Sequence, residues 1–85
     1  DSAIFYLNRA VLIKPNNKDA NRDLGVAYGM LGQIEKSLKY FEKTVELDPN
    51  DAANYINLGV SYQNLGLIDK ANEQFMKAKE LQNLK

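Results

Sequence analysis

The sequence repeats itself with a period of 34 residues. When residues 18–51 are laid over residues 52–85, 12 of the 34 positions are identical and no gap is needed. The same register extends backwards over residues 1–17, where Pro15 corresponds to Pro49. A unit of this length cannot bury its apolar face alone, so neighbouring units must stack on each other. The chain is therefore predicted to be a single domain, with residues 1–17 as a truncated unit, 18–51 and 52–85 as full units, and the array ending with the last unit.

Each full unit is predicted to hold two helices, since apolar residues at helical spacing are separated by glycine and proline. Gly32 and Gly66 occupy the place where a glycine in the left-handed conformation ends a helix. The segments 14–16 and 48–50, each centred on a proline, also stop helices. Five antiparallel helices joined by short turns are expected, at about residues 2–13, 18–31, 35–47, 52–65 and 69–82.

Two of the three glycines inside predicted helices recur at the same place in the repeat, and each costs about 1 kcal/mol relative to alanine. Gly25 and Gly59 occupy the same place in the two full units. A repeated cost calls for a structural reason, and the simplest is close approach of the second helix of the unit. We expect that approach to occur at the small residues Ser37 and Ala71.

This pattern resembles the tetratricopeptide repeat (TPR), and the resemblance covers the whole chain. The residues that carry it are Leu24-Gly25, Tyr28, Gly32, Ser37, Phe41, Thr44 and Pro49 in the first full unit, and Tyr55, Leu58-Gly59, Tyr62, Gly66, Ala71, Phe75 and Ala78 in the second. Asn21 replaces the first aromatic residue of the pattern, and Asn83 replaces the final proline. The resemblance implies an all-α, right-handed solenoid of antiparallel helix pairs whose first helices line a concave face.

The resemblance also implies a function, since the family mostly binds protein partners as a peptide or helix on the concave face. The residues expected to contact such a ligand are Arg22, Val26, Ile56, Asn57, Val60 and Gln63. A clamp for a terminal carboxylate needs charge-assisted donors at fixed places; valines occupy the place of its second asparagine, which argues against it. The aliphatic members of the set form a strip that favours an apolar or helical ligand, and the alternative is an ordinary solvated helix face.

The predicted first helix is apolar almost all round. Between Ala3 and Ile13 only Asn8 and Arg9 are polar, and such a helix expects burial on all sides. A second hypothesis is therefore self-association into a dimer or swapped assembly, in which another copy covers this helix. The residues assigned to that surface are Ile4, Phe5, Tyr6 and Leu12. A preceding helix of a longer parent protein would cover the surface equally well, and a tolerated, exposed end helix would need no cover.

Composition argues against several classes of function. The 11 basic and 11 acidic residues cancel, whereas nucleic-acid modules carry a basic stripe. The chain has no cysteine and no histidine, so it lacks a thiol nucleophile, a Cys-based zinc site and the commonest general base. No phosphate loop, catalytic triad or metal-spaced cluster is present. We expect neither catalysis nor a cofactor, metal or nucleic-acid partner.

No membrane partner is expected either, because no apolar stretch approaches the roughly 20 residues needed to span a bilayer. The apolar start lacks the basic region and cleavage site of a signal peptide. The first residue is Asp1 and not methionine, so we expect a processed chain or a piece of a longer protein. These features leave the compartment open.

Overall fold

The computed structural model describes residues 2–84, and within that range the only regular elements are five helices. They are α1 (Ser2–Ile13), α2 (Lys18–Met30), α3 (Ile34–Leu47), α4 (Ala52–Asn64) and α5 (Ile68–Asn83). Each helix packs on the next one in chain order. This confirms the predicted all-α solenoid, and each predicted helix is present with bounds shifted by at most one residue. The two end residues of the predicted array, Asp1 and Lys85, lie outside the described residues.

Both first helices of the full units, α2 and α4, have polar N-caps and glycine C-termini. The side chain of Asn17 accepts a hydrogen bond from the Ala20 amide at 3.1 Å, and that of Asp51 accepts one from the Ala53 amide at 3.0 Å. Such caps satisfy amides that have no partner within the helix. Gly32 and Gly66 follow the helix ends with φ of 77° and 79°, so both predicted left-handed glycines are confirmed. Because the turns are so short, α3 and α5 fold straight back on the helices before them.

The interior is thin and contains almost as many polar as apolar side chains. Its apolar members are Ala20, Leu24, Phe41, Tyr55, Leu58, Ala71 and Ala78, and its polar members are Asn21, Ser37, Thr44, Asn54 and Ser61. Among the described residues, no buried side-chain nitrogen or oxygen lacks a hydrogen-bond partner. The polar residues are therefore compatible with burial, since burial is costly only for groups that stay unpaired.

The helices of each unit approach closely at a glycine, as predicted, and an aromatic ring takes part in the contact. A β-carbon added to Gly25 would lie 2.6 Å from Cε1 of Phe41, and one added to Gly59 would lie 2.5 Å from Cε1 of Phe75. An aromatic ring therefore lies against each glycine, which the prediction did not include. At Gly25 the expected small residue also takes part, because the Ser37 hydroxyl donates to the Gly25 carbonyl at 2.6 Å.

The junctions between successive units share one hydrogen bond made by different side chains. In the second junction the Tyr55 hydroxyl donates to the Pro49 carbonyl at 2.8 Å. In the first, Asn21 replaces the aromatic residue, and its amide donates to the Pro15 carbonyl at 3.0 Å. The shorter side chain therefore preserves the hydrogen bond but does not supply an aromatic ring.

Two half-buried tyrosines, Tyr40 and Tyr62, have raised pKa values. Burial raises the pKa of Tyr62 above its usual 10.0, and the negative charge of Glu42 adds to the effect. Burial also raises the pKa of Tyr40, with a smaller contribution from Tyr28, whose ring stacks on that of Tyr40 at a centroid distance of 5.7 Å.

The contact at Gly25 predicts an unusual response to a helix-favouring substitution. Alanine would improve intrinsic helix propensity by about 1 kcal/mol, yet its methyl group would overlap the ring of Phe41. Because overpacking typically costs about 1–3 kcal/mol, we expect Gly25→Ala to lower the free energy of unfolding in a urea titration. Gly29→Ala is the control, since its methyl group would meet only the Ser37 side chain, at 3.2 Å from Oγ, and should have a smaller effect. A stabilised Gly25→Ala variant would contradict the contact.

The tyrosines predict a loss of stability in alkali. The folded protein holds the phenolic protons of Tyr40 and Tyr62 more tightly than the unfolded chain does. Their stabilising contribution is therefore present below pH 10 and disappears as the pH rises through the folded-state pKa values. Urea unfolding at pH 8 and above pH 10 should show a smaller alkaline loss for the Tyr40→Phe/Tyr62→Phe variant than for the wild type. Equal losses would contradict this assignment.

Candidate peptide-binding groove

A surface depression of 260 Å³ is lined by residues of the two first helices, α2 and α4, and of α3 between them in the chain. Its buried lining comes from both helices of the first full unit and from α4, and consists of Gly25, Ser37, Phe41 and Ser61. Its exposed lining comes from the two first helices alone and consists of Val26, Met30, Val60 and Asn64. Gly29, Ile34 and Asn57 complete it. We call this depression the groove.

The repeat places equivalent residues on its two sides. Val26 and Val60 are separated by one repeat, and so are Met30 and Asn64. Within each helix the pair is four residues apart, so both members lie on one helix face. Gly29 lines the groove without a side chain, whereas the equivalent residue of the second unit is Gln63. In the first full unit no side chain at this position obstructs the groove, and apolar side chains border it.

The structure brings together three of the six predicted ligand-contacting residues. Val26, Asn57 and Val60 line the groove, and the two valines expose 44% and 43% of their surface. The other three predicted residues do not line it. These are Arg22, Ile56 and Gln63, all exposed on the same two helices.

Sequence reasoning missed the contribution of the second helix. Met30, which the first-helix register places on this face although it is not one of the six selected residues, is 84% exposed at the groove. The floor residues Ser37 and Phe41 belong to α3. Their part could not be inferred from the first-helix register, because it depends on how closely α3 approaches the glycines of α2.

The groove itself is uncharged, since none of its lining residues is acidic or basic. Arg22 is the one charged residue among the six predicted ligand contacts. Its guanidinium is paired within α2 with Asp19 at 3.4 Å and with Asp23 at 3.5 Å. At the start of α2, Lys18 contacts Asp48 at 3.0 Å, and that hydrogen bond and the carboxylate charge raise the pKa of Lys18. Arg22 and Lys18 are therefore both already paired with carboxylates of this chain.

The described residues contain no group of three or more acidic, histidine or cysteine side chains placed to hold a metal ion. None of the helices in this part of the chain has the length and apolar character needed to cross a membrane.

The second predicted surface, on α1, is largely exposed. Phe5, Tyr6 and Leu12 expose 57%, 68% and 82% of their surface, whereas Ile4 is half-buried. The rings of Phe5 and Tyr6 meet edge to face with centroids 5.4 Å apart. Ile13, which was not assigned to this surface, is also exposed. Three of the four assigned residues therefore present apolar area to solvent.

A comparison between equivalent helices explains why α1 buries so little. Ser37, Phe41 and Thr44 of α3 are buried, whereas their counterparts in α1, Ala3, Leu7 and Ala10, are at most half-buried. In α3 this face packs on α2, the first helix of the same unit. Within the described chain no helix precedes α1, so its equivalent face has no first helix against it.

Two family descriptions of the tetratricopeptide repeat match the chain, one at residues 19–51 and the other at residues 40–80. A comparison with curated protein sequences gives no match.

Solved structures with this fold include several of MamA. One MamA crystal structure is 32% identical with a TM-score of 0.90, covering 94% of this chain and 47% of its own. The AMB-1 form of MamA is 28% identical with a TM-score of 0.93, covering 100% of this chain and 50% of its own. The chain thus spans about half the length of these structures. The matched repeats, the regular spacing of their helices and the fold agree: this chain belongs to the tetratricopeptide repeat family.

Proposed function

We propose that the chain is a non-catalytic scaffold that binds an apolar segment of a partner protein in the groove between α2 and α4. The observation that carries the proposal is an uncharged groove bordered by the exposed side chains of Val26, Met30 and Val60. Tetratricopeptide repeats are protein-interaction modules, which supports a protein as the ligand.

The residues at the groove favour an apolar helix or extended peptide. Fully burying an aliphatic side chain contributes about 1.5–3 kcal/mol, and Val26 and Val60 are each more than two-fifths exposed. The flexible thioether of Met30 can adapt to ligands of different shape. Asn57 and Asn64 add amide donors and acceptors at the rim, where a peptide backbone needs partners.

The charges near the groove argue against a clamp for a terminal carboxylate. Such a clamp requires a cation that is available to the ligand, and Arg22 already pairs with Asp19 and Asp23. A carboxylate placed there would also meet the two aspartates. The ligand class is therefore set by apolar contact.

We further propose that the truncated unit, 1–17, and the full units, 18–51 and 52–85, work as one array. Packing between α1 and α2 and between α3 and α4 supports this division, since it joins each unit to the next. Ile56 and Gln63 lie on α4 beyond the groove lining, where a longer ligand would reach them.

One substitution in the groove and one on α5 test the binding proposal. Peptides would be selected from a random library on the immobilised wild type, and their affinities measured by isothermal titration calorimetry. Val60→Glu places a charge against the apolar ligand, and we expect it to weaken binding at least tenfold while circular dichroism shows a retained fold. Met76→Glu is the matched control, since Met76 is a 65% exposed apolar residue on α5, and its affinity should stay within twofold of the wild type.

Arg22→Ala separates the two ligand classes in the same assay. Apolar binding predicts a change of less than threefold, whereas a carboxylate clamp predicts a large loss. Retained affinity in Val60→Glu, or a loss equal in Met76→Glu, would contradict the groove as the binding site.

A second candidate function is self-association through α1, and the exposure of Phe5 and Leu12 favours it. These two residues are seven apart, so they lie on one face of the helix. The helix order constrains the assembly, because the first and last described helices are both second helices, α1 and α5. End-to-end stacking would therefore join two second helices, whereas an exchange of segments would place a first helix on α1.

Light scattering coupled to size exclusion, over a hundredfold range of concentration, tests self-association. A dimer should dissociate on dilution, and Phe5→Lys/Leu12→Lys should abolish it because both side chains are exposed on α1. Leu84→Lys, at an 82% exposed site after α5, is the control and should leave the dimer intact. A dimer that survives the double substitution, or a wild type that is monomeric throughout, would contradict this function.

A further inference from the structure

A second cleft, of 420 Å³, lies between the two second helices α1 and α3, away from the groove. Its apolar walls are Val11, Pro15 and Tyr40, and Asn21 of α2 also lines it. Charged residues of both signs on α3 form the rest of its lining, namely Lys39, Glu42, Lys43 and Glu46. It shares no residue with the groove described above.

The next repeat has an aromatic side chain at the position equivalent to Asn21. Its residues equivalent to Val11, Pro15 and Asn21 are Val45, Pro49 and Tyr55. The Tyr55 side chain is buried there, with 8% of its surface exposed, and its hydroxyl reaches the Pro49 carbonyl. The valine and the proline are thus unchanged between the two junctions, whereas the ring at the Tyr55 position is absent from the first. The cleft's own ring, Tyr40, corresponds to Gln74 in the next unit.

We propose that this cleft binds a single aromatic side chain from a partner protein, which takes the place that Tyr55 fills one repeat later. Aromatic side chains are suited to it because they bury a large area and pack favourably against other rings, here that of Tyr40. Asn21 already donates to the Pro15 carbonyl at 3.0 Å and to the Asn17 carbonyl at 2.8 Å. The entering ring therefore needs no hydroxyl, and a phenylalanine side chain meets the requirement.

The rim gives the ligand no strong charge preference. Lys43 and Glu46 face each other at 3.9 Å, and Lys39 lies over the Tyr40 ring at 5.7 Å from its centroid. With two acidic and two basic residues in the lining, selectivity comes from the ring itself. This site is independent of the groove, so each can fail without the other.

The test uses N-acetyl-phenylalanine amide as the probe and amide chemical shifts of the ¹⁵N-labelled chain as the readout. We expect saturable shifts at Val11 and Tyr40 with a dissociation constant on the order of 1–10 mM, as suits so small a ligand. N-acetyl-leucine amide should bind at least threefold more weakly. In Asn21→Tyr the chain supplies its own ring, so the melting temperature should rise and the probe shifts should disappear.

Asn72→Tyr is the matched control, because it adds the same ring at an exposed site on α5 and should leave probe binding unchanged. If Asn21→Tyr does not fold, Val11→Gln tests the wall of the cleft and should weaken binding at least threefold. Unchanged probe binding in the folded Asn21→Tyr variant, equal binding of the leucine probe, or wild-type shifts confined to other residues would each overturn the proposal.

Discussion

The ring of Phe41 lies against the bare α-carbon of Gly25, and the ring of Phe75 lies against Gly59 in the same way. These contacts determine how closely the two helices of each unit approach. Any β-carbon at either glycine would have to displace an aromatic ring. The cost of glycine within a helix, about 1 kcal/mol, is thereby offset by packing that a larger residue would prevent. Because the same contact recurs one repeat later, both helix pairs have a common geometry.

The groove depends on the same contact. Its floor includes Gly25, Ser37 and Phe41, and the Ser37 hydroxyl holds the Gly25 carbonyl at 2.6 Å. With α3 held close beneath α2, the valines of two successive first helices border one depression instead of two separate faces. The surface available to a ligand therefore follows from packing inside the first full unit, and from its junction with α4.

The repeat period was enough to predict the helices and their order, since glycine and proline mark every turn and each helix has its own apolar face. It also indicated that Val26 and Val60 share one surface, as they do in the groove lining, because they occupy equivalent positions on successive first helices. It could not identify Phe41 as the partner of Gly25, since that depends on where a ring lies across the helix interface. Nor could it show that Arg22 is paired with Asp19 and Asp23, because those ion pairs depend on the rotamers that the three side chains adopt. The cleft that Asn21 lines could be interpreted only by comparison with the buried ring of Tyr55, its equivalent one repeat later.

Binding of a partner segment between α2 and α4 can be mapped by amide chemical shifts in the ¹⁵N-labelled chain on addition of a library-selected peptide. The largest changes should fall on Val26, Met30, Asn57 and Val60, with small changes in α5. Changes concentrated on α1 or on the outer face of α5, with those four residues unaffected, would contradict it.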